Sequence, residues 1–310
     1  MCPNLFRRCN LMKIGTYSKL ERRHFPKIYL FLLPTLILFV MFYLYPILQV
    51  LVTAFTKWDG YNQPVFDISN IFVNYKRLFA MRGFAPSLRN LFWWSFIAMT
   101  LHVGIGALVA FLLGDKLPGW KFVRAVYMIP NVISAAAWAM IYRFIFNQDF
   151  GLLNGLIRKF NASFNVNWFY ESPAAFWAIT FTWLFYAVIV TLIVLADLMA
   201  IPQELHEAAE IDGAMGWQRT FYIDLPLCRN SLGTGVILSV TSRIAMYENI
   251  ALTSRGGPGT DTNSLALLLV KATTDYNYGL ANAVALLMFV FGIIVMLVVN
   301  RLFRMNEPVY

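Results

Sequence analysis

At 310 residues the chain is long enough for two soluble domains. Its composition excludes them, because 59% hydrophobic and only 13% charged residues leave too little polar surface to solvate a globule. A net charge of +9 would suit a nucleic-acid binder, but the basic residues crowd into an N-terminal tail ahead of a long apolar run, which points to a membrane.

Uncharged apolar runs occupy residues 28–56, 90–114, 125–142, 172–196 and 276–300. Most exceed the ~20 residues that cross a hydrocarbon core. A sixth run, 230–254, is long enough but holds Arg243 and Glu248. The expected fold is therefore all-α, a polytopic membrane protein with six transmembrane helices. A closed barrel would need short alternating strands, and no such alternation occurs.

Residues 1–27 form a basic tail (Arg7, Arg8, Lys13, Lys19, Arg22, Arg23, Lys27) that the positive-inside rule places in the cytoplasm. Leu5, Phe6, Leu11, Met12 and Leu20 alternate with the bases, so the tail reads either as an interfacial amphipathic helix or as a solvated arm. The transmembrane domain is expected over 28–303, with a cytoplasmic C-terminal tail at 304–310. The first apolar run is too long for a signal-peptide core and reads as an uncleaved anchor. Cys2, Cys9 and Cys228 all fall on the expected cytoplasmic side and read as reduced thiols, with no metal-ligand spacing.

Span one carries Pro34 and Pro46, which membrane helices tolerate when neighbours satisfy the freed carbonyls. Trp58 and Tyr61 suit the outer interface, and 74–78 reads as a short helix in the external segment that follows. In span two, His102 reads as a hydrogen-bonded neutral imidazole or as a proton relay. Span three, 122–146, should kink at Pro130-Asn131, and its small residues Ser134 to Ala137 permit close packing. Span four holds Trp183 and Tyr186, which could stack on a ligand or pack between helices. Span five is expected over 230–253, a Gly256-Gly257-Pro258-Gly259 turn follows, and span six is expected over 278–300.

Catalytic signatures fail. The chain has no phosphate-binding G-x-x-x-x-G-K-[ST], no G-x-S-x-G and no H-E-x-x-H. Catalysis is not expected in this chain.

Two features ask for a polar partner. Arg243 lies near the middle of span five, where a charge costs ~2.5–3.5 kcal/mol on insertion scales. Glu248 is five residues on, about 140° round a helix, so the two do not face each other. With Tyr247 and Asn249 they make a helix polar enough to line a translocation path or to form interhelix or intersubunit ion pairs. Arg243, Tyr247, Glu248, Asn249, Trp183 and Tyr186 are the candidate pathway residues.

The second feature is the polar stretch 198–229 between spans four and five. Pro202 can occupy the first position of a helix and Gly213 can end one in the left-handed conformation. Glu207 and Glu210 repel mildly, so a cationic partner would relieve them. Ala208 and Ala209 offer a slim face for a groove, and Trp217 and Phe221 begin a second helical piece.

The spacing Glu207-Ala208-Ala209, Gly213, Ile223-x-Leu225-Pro226 resembles the EAA loop of membrane subunits of binding-protein-dependent ABC importers. Residues 29–34, Tyr45-Pro46, 55–60, 149–154 and 256–259 are similar to the F-like permease of carbohydrate importers of the maltose/glycerol-phosphate type. The family's Thr-Gly-Gly-Gly-Pro-Gly appears as Thr253 to Gly259 with Ser254-Arg255 inserted. Arg243 and Glu248 also depart from neutral-sugar permeases and favour an acidic or highly hydroxylated sugar over a simple neutral disaccharide.

The resemblance implies a permease subunit in a prokaryotic inner membrane, both termini cytoplasmic. It implies a second permease, two ATP-binding subunits, an extracytoplasmic solute-binding protein and a sugar or oligosaccharide substrate. ATP and Mg would bind the ATPase subunits, with no cofactor in this chain. Glu207, Ala208, Ala209, Gly213, Ile223, Leu225 and Pro226 would couple to the ATPase. An ion-gradient-driven secondary transporter is the alternative, and it would need paired intramembrane acids.

Overall fold

The first apolar run folds as a helix that is interrupted once. A computed structural model describes the backbone of residues 19–305 and the side chains of 29–305. The arm with Cys2 and Cys9, the interfacial helix expected there, and the tail from 306 lie outside the described residues. Helix α1 spans Lys19–Phe39, a π-helical turn covers Val40–Leu44, and α2 spans Tyr45–Thr53. Pro46 brings no N–H to the carbonyl of Phe42, and the ladder widens just before it. The chain divides into two units, residues 1–50 and 51–310.

The second unit continues with α3 (Val73–Ala80), α4 (Phe84–Ile97) and α5 (Val103–Gly114), the last two joined by a π-helical turn at Ala98–His102. Then come α6 (Trp120–Met128), α7 (Ala135–Ile145) and α8 (Leu152–Arg158). Next are α9 (Ala174–Leu184) and α10 (Val188–Ala200). The polar stretch forms α11 (Gln203–Ile211), α12 (Trp217–Arg219), a π-helical turn at Thr220–Asp224 and α13 (Leu225–Leu227). The chain closes with α14 (Arg229–Ile244), α15 (Glu248–Ala251), α16 (Leu265–Thr274) and α17 (Tyr278–Leu302).

The fold is all-α, as expected, but the spans are less uniform than six continuous helices. Among the described residues, four helical stretches are long and apolar enough to cross a membrane: Tyr29–Thr53, Phe84–Gly114, Ala174–Ala200 and Tyr278–Leu302. A fifth becomes available if Trp120–Val132 and Ala135–Ile145 act as one, and that pair is bent by 102°. The bend falls beyond Pro130-Asn131, where Ser134 caps the new helix by accepting from the Ala137 N–H at 3.3 Å. The expected span five, 230–253, is instead the 16-residue α14, a break at 245–247, and the four-residue α15. It is too short and too polar to count by length and composition. The short α16 was not anticipated from the sequence.

One apolar core gathers α5, α10, α14 and α17 around Ala107, Ala110, Val190, Val194, Val236, Val240 and Val284. Glycines set the approach of its helices. A Cβ on Gly106 would meet the Val190 Cβ at 2.8 Å, and one on Gly235 would meet the Val190 Cγ1 at 3.1 Å. Val190 is thus held between two backbones, the small-residue packing that membrane helices use in place of a hydrophobic drive. A second core brings Trp94, Ile97, Phe146, Phe169, Ile179, Trp183, Met246 and Ile250 together.

Three buried asparagines fix the loops to these helices. Asn74 Nδ2 donates to the Ala54 and Thr56 carbonyls at 2.9 and 2.8 Å. Asn90 Nδ2 reaches those of Asp261 and Asn263 at 2.6 and 2.9 Å. Asn154 Nδ2 holds those of Gln148 and Val166 at 3.0 and 2.8 Å, and its Oδ1 accepts from the Trp168 indole at 2.7 Å. Each amide spends both its N–H groups on backbone that would otherwise be buried without partners.

Candidate functional site

Span four breaks at 185–187, between α9 and α10. The break frees backbone inside the apolar region, which is tolerated where protein or a wet cavity meets it. Here the Ala187 N–H donates to the Tyr127 hydroxyl at 3.2 Å, and the Leu184 carbonyl accepts from His102 Nδ1 at 3.0 Å. His102 is therefore a hydrogen-bonded core histidine.

Around this break lies a cavity of about 270 Å³. Four of the six candidate pathway residues line it: Trp183, Tyr186, Arg243 and Asn249. The Arg243 guanidinium lies 4.2 Å from the centre of the Trp183 ring, a cation–π contact, and its Nη1 is 3.7 Å from Met246 Sδ. The other face of the arrangement is His102, edge-on to Trp183 at 5.7 Å. Tyr186 donates to the Pro130 carbonyl at 3.2 Å and packs on Trp138 at 5.3 Å, and Trp138 donates to the Thr182 carbonyl at 2.7 Å. Asn249 donates to Thr182 Oγ1 at 3.2 Å.

Two candidates are not brought in. Tyr247 and Glu248 do not line the cavity, and Glu248 is exposed. Glu248 lies five residues past Arg243, about 140° round the helical course, whereas Asn249, seven past Ser242, stays on the cavity side. The stacking expected of Trp183 is also changed, since Arg243 already occupies one of its faces. His102, Trp138, Thr182 and Ser239 join the site without having been anticipated for it. Trp138, Thr182 and Ser239 are of types common in apolar helices, whereas His102 stood out in the sequence as the imidazole of span two.

The polar stretch builds a second feature. Pro202 takes the N-cap of α11, one residue ahead of the position expected. Gly213, at φ +81°, ends the helix: its N–H bonds the Glu210 carbonyl at 3.1 Å and the Ala214 N–H bonds that of Ala209 at 2.8 Å. This is the paired closure in which only a residue without a Cβ sits at ease. Ile223, Leu225 and Pro226 fall in the helical run that leads into α14 (Ile223 in its π-helical turn), and Pro226 again follows a widened turn.

The expected slim alanine face does not form. Ala209 is 4% exposed and turned into the protein, while Ala208 faces out, because successive residues on a helix point about 100° apart. Glu207 remains exposed and accepts from Gln203 Nε2 at 3.0 Å.

Beneath α11 lies an ion cluster that sequence order concealed. Asp224, 3% exposed, accepts from His206 Nε2 at 2.9 Å and stands 3.4 Å from Arg219 Nε. Arg219 Nη2 also reaches Asp115, at the end of α5, at 2.6 Å. Glu207, Glu210, His206, Arg219, Asp115 and Asp224 share the walls of a recess of about 580 Å³. Next to it, burial pushes the Cys228 thiol up to about 12, and the Asp197 and Asp224 carboxylates add to the shift.

The family model described as binding-protein-dependent transport system inner membrane component matches residues 102–309. The chain belongs to this family. It is 33% identical over 282 residues to the trehalose/maltose transport system permease protein MalF of Thermococcus litoralis, covering 88% of this chain and 92% of that one. It is 30% identical to the multiple sugar-binding transport system permease protein MsmF of Streptococcus mutans, with 84% and 89% covered. Its fold matches a solved chain of a bacterial alginate ABC transporter in complex with an alginate pentasaccharide-bound periplasmic protein. That TM-score is 0.74 at 19% identity, covering 90% of this chain and 94% of that one. The family match begins at His102, so the cavity-lining residues and the ion cluster all lie within it.

Proposed function

We propose that this chain is one permease of an ABC importer for a sugar or oligosaccharide. It pairs with a second permease, and the two enclose the path. A soluble receptor outside the membrane delivers the sugar, and two ATPase subunits bound on the cytoplasmic side supply the cycle, holding the ATP and Mg. Both termini and the polar stretch 198–229 face the cytoplasm. What supports the substrate class is the set of relatives named for sugar transport at about a third identity over most of the chain.

The observation that carries the mechanism is the construction of α11. Its buried side is bound to the membrane helices through Ala209 and through the His206–Asp224–Arg219–Asp115 chain. Its outer side leaves Glu204, Glu207, Glu210 and Ile211 uncovered, Ile211 at 87%. A helix so fixed at its base transmits a push. When ATP closes the ATPase dimer, α11 moves with it, Arg219 carries the motion to the end of α5, and the broken span four gives way at 185–187. Such rocking of rigid elements about a hinge is an established type of switch. In this scheme Glu207 meets a basic residue of the ATPase, and Gly213 turns the chain out of the groove.

The test is Glu207→Lys in the assembled transporter. ATP hydrolysis should persist or fall modestly while ATP-driven sugar uptake is lost, or the ATPase should dissociate, with the permease still folded. Wild-type coupling in that variant would refute the contact. The ion-gradient alternative is less favoured, because the cavity walls among the described residues carry no carboxylate.

A further inference from the structure

The cavity at the break in span four is unbalanced in charge. Arg243 has five N–H donors in a fixed fork, and its contacts are the Trp183 π face and the Met246 sulfur. A ring attracts the cation but gives none of those donors a lone pair. Among the described residues no aspartate or glutamate lines the cavity, and Glu248 lies outside it.

Neutral side chains, Asn131, Thr182, Asn249 and His102 among them, make up the rest of the polar wall, and three further features favour negative charge. Helix α10, 13 residues long, begins at Val188, and Val188, Ile189 and Val190 all line the cavity. These are first-turn residues, whose N–H groups have no partner within the helix. The helix start carries about half a positive charge. Trp183 Nε1 and Ser239 Oγ are buried without a hydrogen-bond partner, in residues 2% and 5% exposed. Ser239 stands out on its own helix. Thr234, Thr241 and Ser242 each donate to the carbonyl four residues back, at 2.9, 2.7 and 2.9 Å, and Ser239 does not.

A guanidinium, a helix start, an indole N–H and an uncommitted hydroxyl make a donor-rich, cationic site. We infer that this cavity is an anion station, built for the carboxylate of an acidic saccharide such as a uronic-acid oligomer. The inference rests on the permease reading and adds the charge of the substrate. A carboxylate would accept the guanidinium fork bidentately, beside the start of α10. The hydroxyls of a neutral sugar would leave the charge uncompensated. Trp183 then serves as a platform that holds Arg243 in place before substrate arrives.

The test uses the complete transporter in proteoliposomes, with Cys2, Cys9 and Cys228 replaced by serine and Ser242→Cys introduced on the exposed part of the cavity wall. Labelling rates with anionic methanethiosulfonate ethylsulfonate and cationic methanethiosulfonate ethyltrimethylammonium are each divided by the rate with a free thiol. The normalised ratio should favour the anionic reagent by about tenfold, the scale on which a focused positive field enriches anions. Arg243→Gln should bring it close to one, and trigalacturonate should slow labelling where maltotriose does not. Ile133→Cys repeats the measurement if Ser242→Cys fails to assemble.

A ratio near one, a ratio favouring the cation, or one insensitive to Arg243→Gln overturns the inference. An acid supplied by the second permease would give that result. ATP-driven uptake of maltotriose alongside such a ratio removes the anion station and leaves the sugar permease standing. Uptake of neither saccharide, with the anionic preference intact, removes the sugar reading and leaves the station.

Discussion

Asp224 is where the polar stretch is tied to the membrane helices, and its removal should loosen α11 by a calculable amount. The carboxylate is 3% exposed and accepts from His206 at 2.9 Å. A hydrogen bond to a charged group contributes ~1.5–3 kcal/mol. The second contact, 3.4 Å from Arg219 Nε, is long, and Arg219 is 24% exposed and also held by Asp115 at 2.6 Å. That contact is therefore discounted to about 0.5 kcal/mol or less, as for a screened pair. Asp224→Ala should cost the segment about 2–3 kcal/mol, a factor of roughly 30 to 150 in local opening. Asp224→Asn keeps a carbonyl for His206 and should cost about 1 kcal/mol, roughly fivefold. Arg219 retains Asp115 in both variants, so no buried charge is stranded. Hydrogen exchange of peptides from 203–211 in the assembled transporter reads the effect, with peptides from α17 as the internal control. Unchanged exchange in α11 after Asp224→Ala would refute the tie.

Two further outcomes follow from packing and burial. Gly106→Ala places a methyl 2.8–3.0 Å from Val190 and Ala187 side chains. Overpacking of this kind costs ~1–3 kcal/mol, so thermal unfolding in detergent should come earlier, and Val190→Ala in the same chain should restore part of the loss. Cys228 is fully buried, with its thiol raised from 9.0 to about 12. The folded state therefore holds this proton over a pH range in which the unfolded state releases it, and stability falls as pH rises from about 9 towards 12. Maleimide should leave Cys228 unlabelled at pH 8 until the chain is unfolded, and rapid labelling of the native protein would contradict its burial.

What the sequence determined by itself is local. Apolar runs free of charge dictate membrane helices because a chain in hydrocarbon must satisfy its own backbone, and the fold class follows. Pro202 and Gly213 bracket α11 because a fixed φ and a missing Cβ act within one turn. The spacing from Glu207 to Pro226 likewise identified the family, since such motifs are read in order along the chain. Where helices break was less legible. The run 230–253 has the composition of one helix, yet three residues at 245–247, Tyr247 among them, leave the helical path. A periodicity argument assumes an unbroken helix; Glu248 and Asn249 still fall where it puts them, while Tyr247, inside the break, stands off the cavity.

Only the tertiary structure decided which distant groups share a site. Arg219 and Asp115 are 104 residues apart in sequence and 2.6 Å apart in space. Arg243 comes to rest on Trp183, from a different helix, and not beside an acid. Ala209 turns inward where its neighbour Ala208 turns out. Each of these depends on how helices approach, and that distance is set by contacts such as Val190 between Gly106 and Gly235. Side chains separated by a hundred residues have no local signal linking them, so their meeting is a property of packing alone.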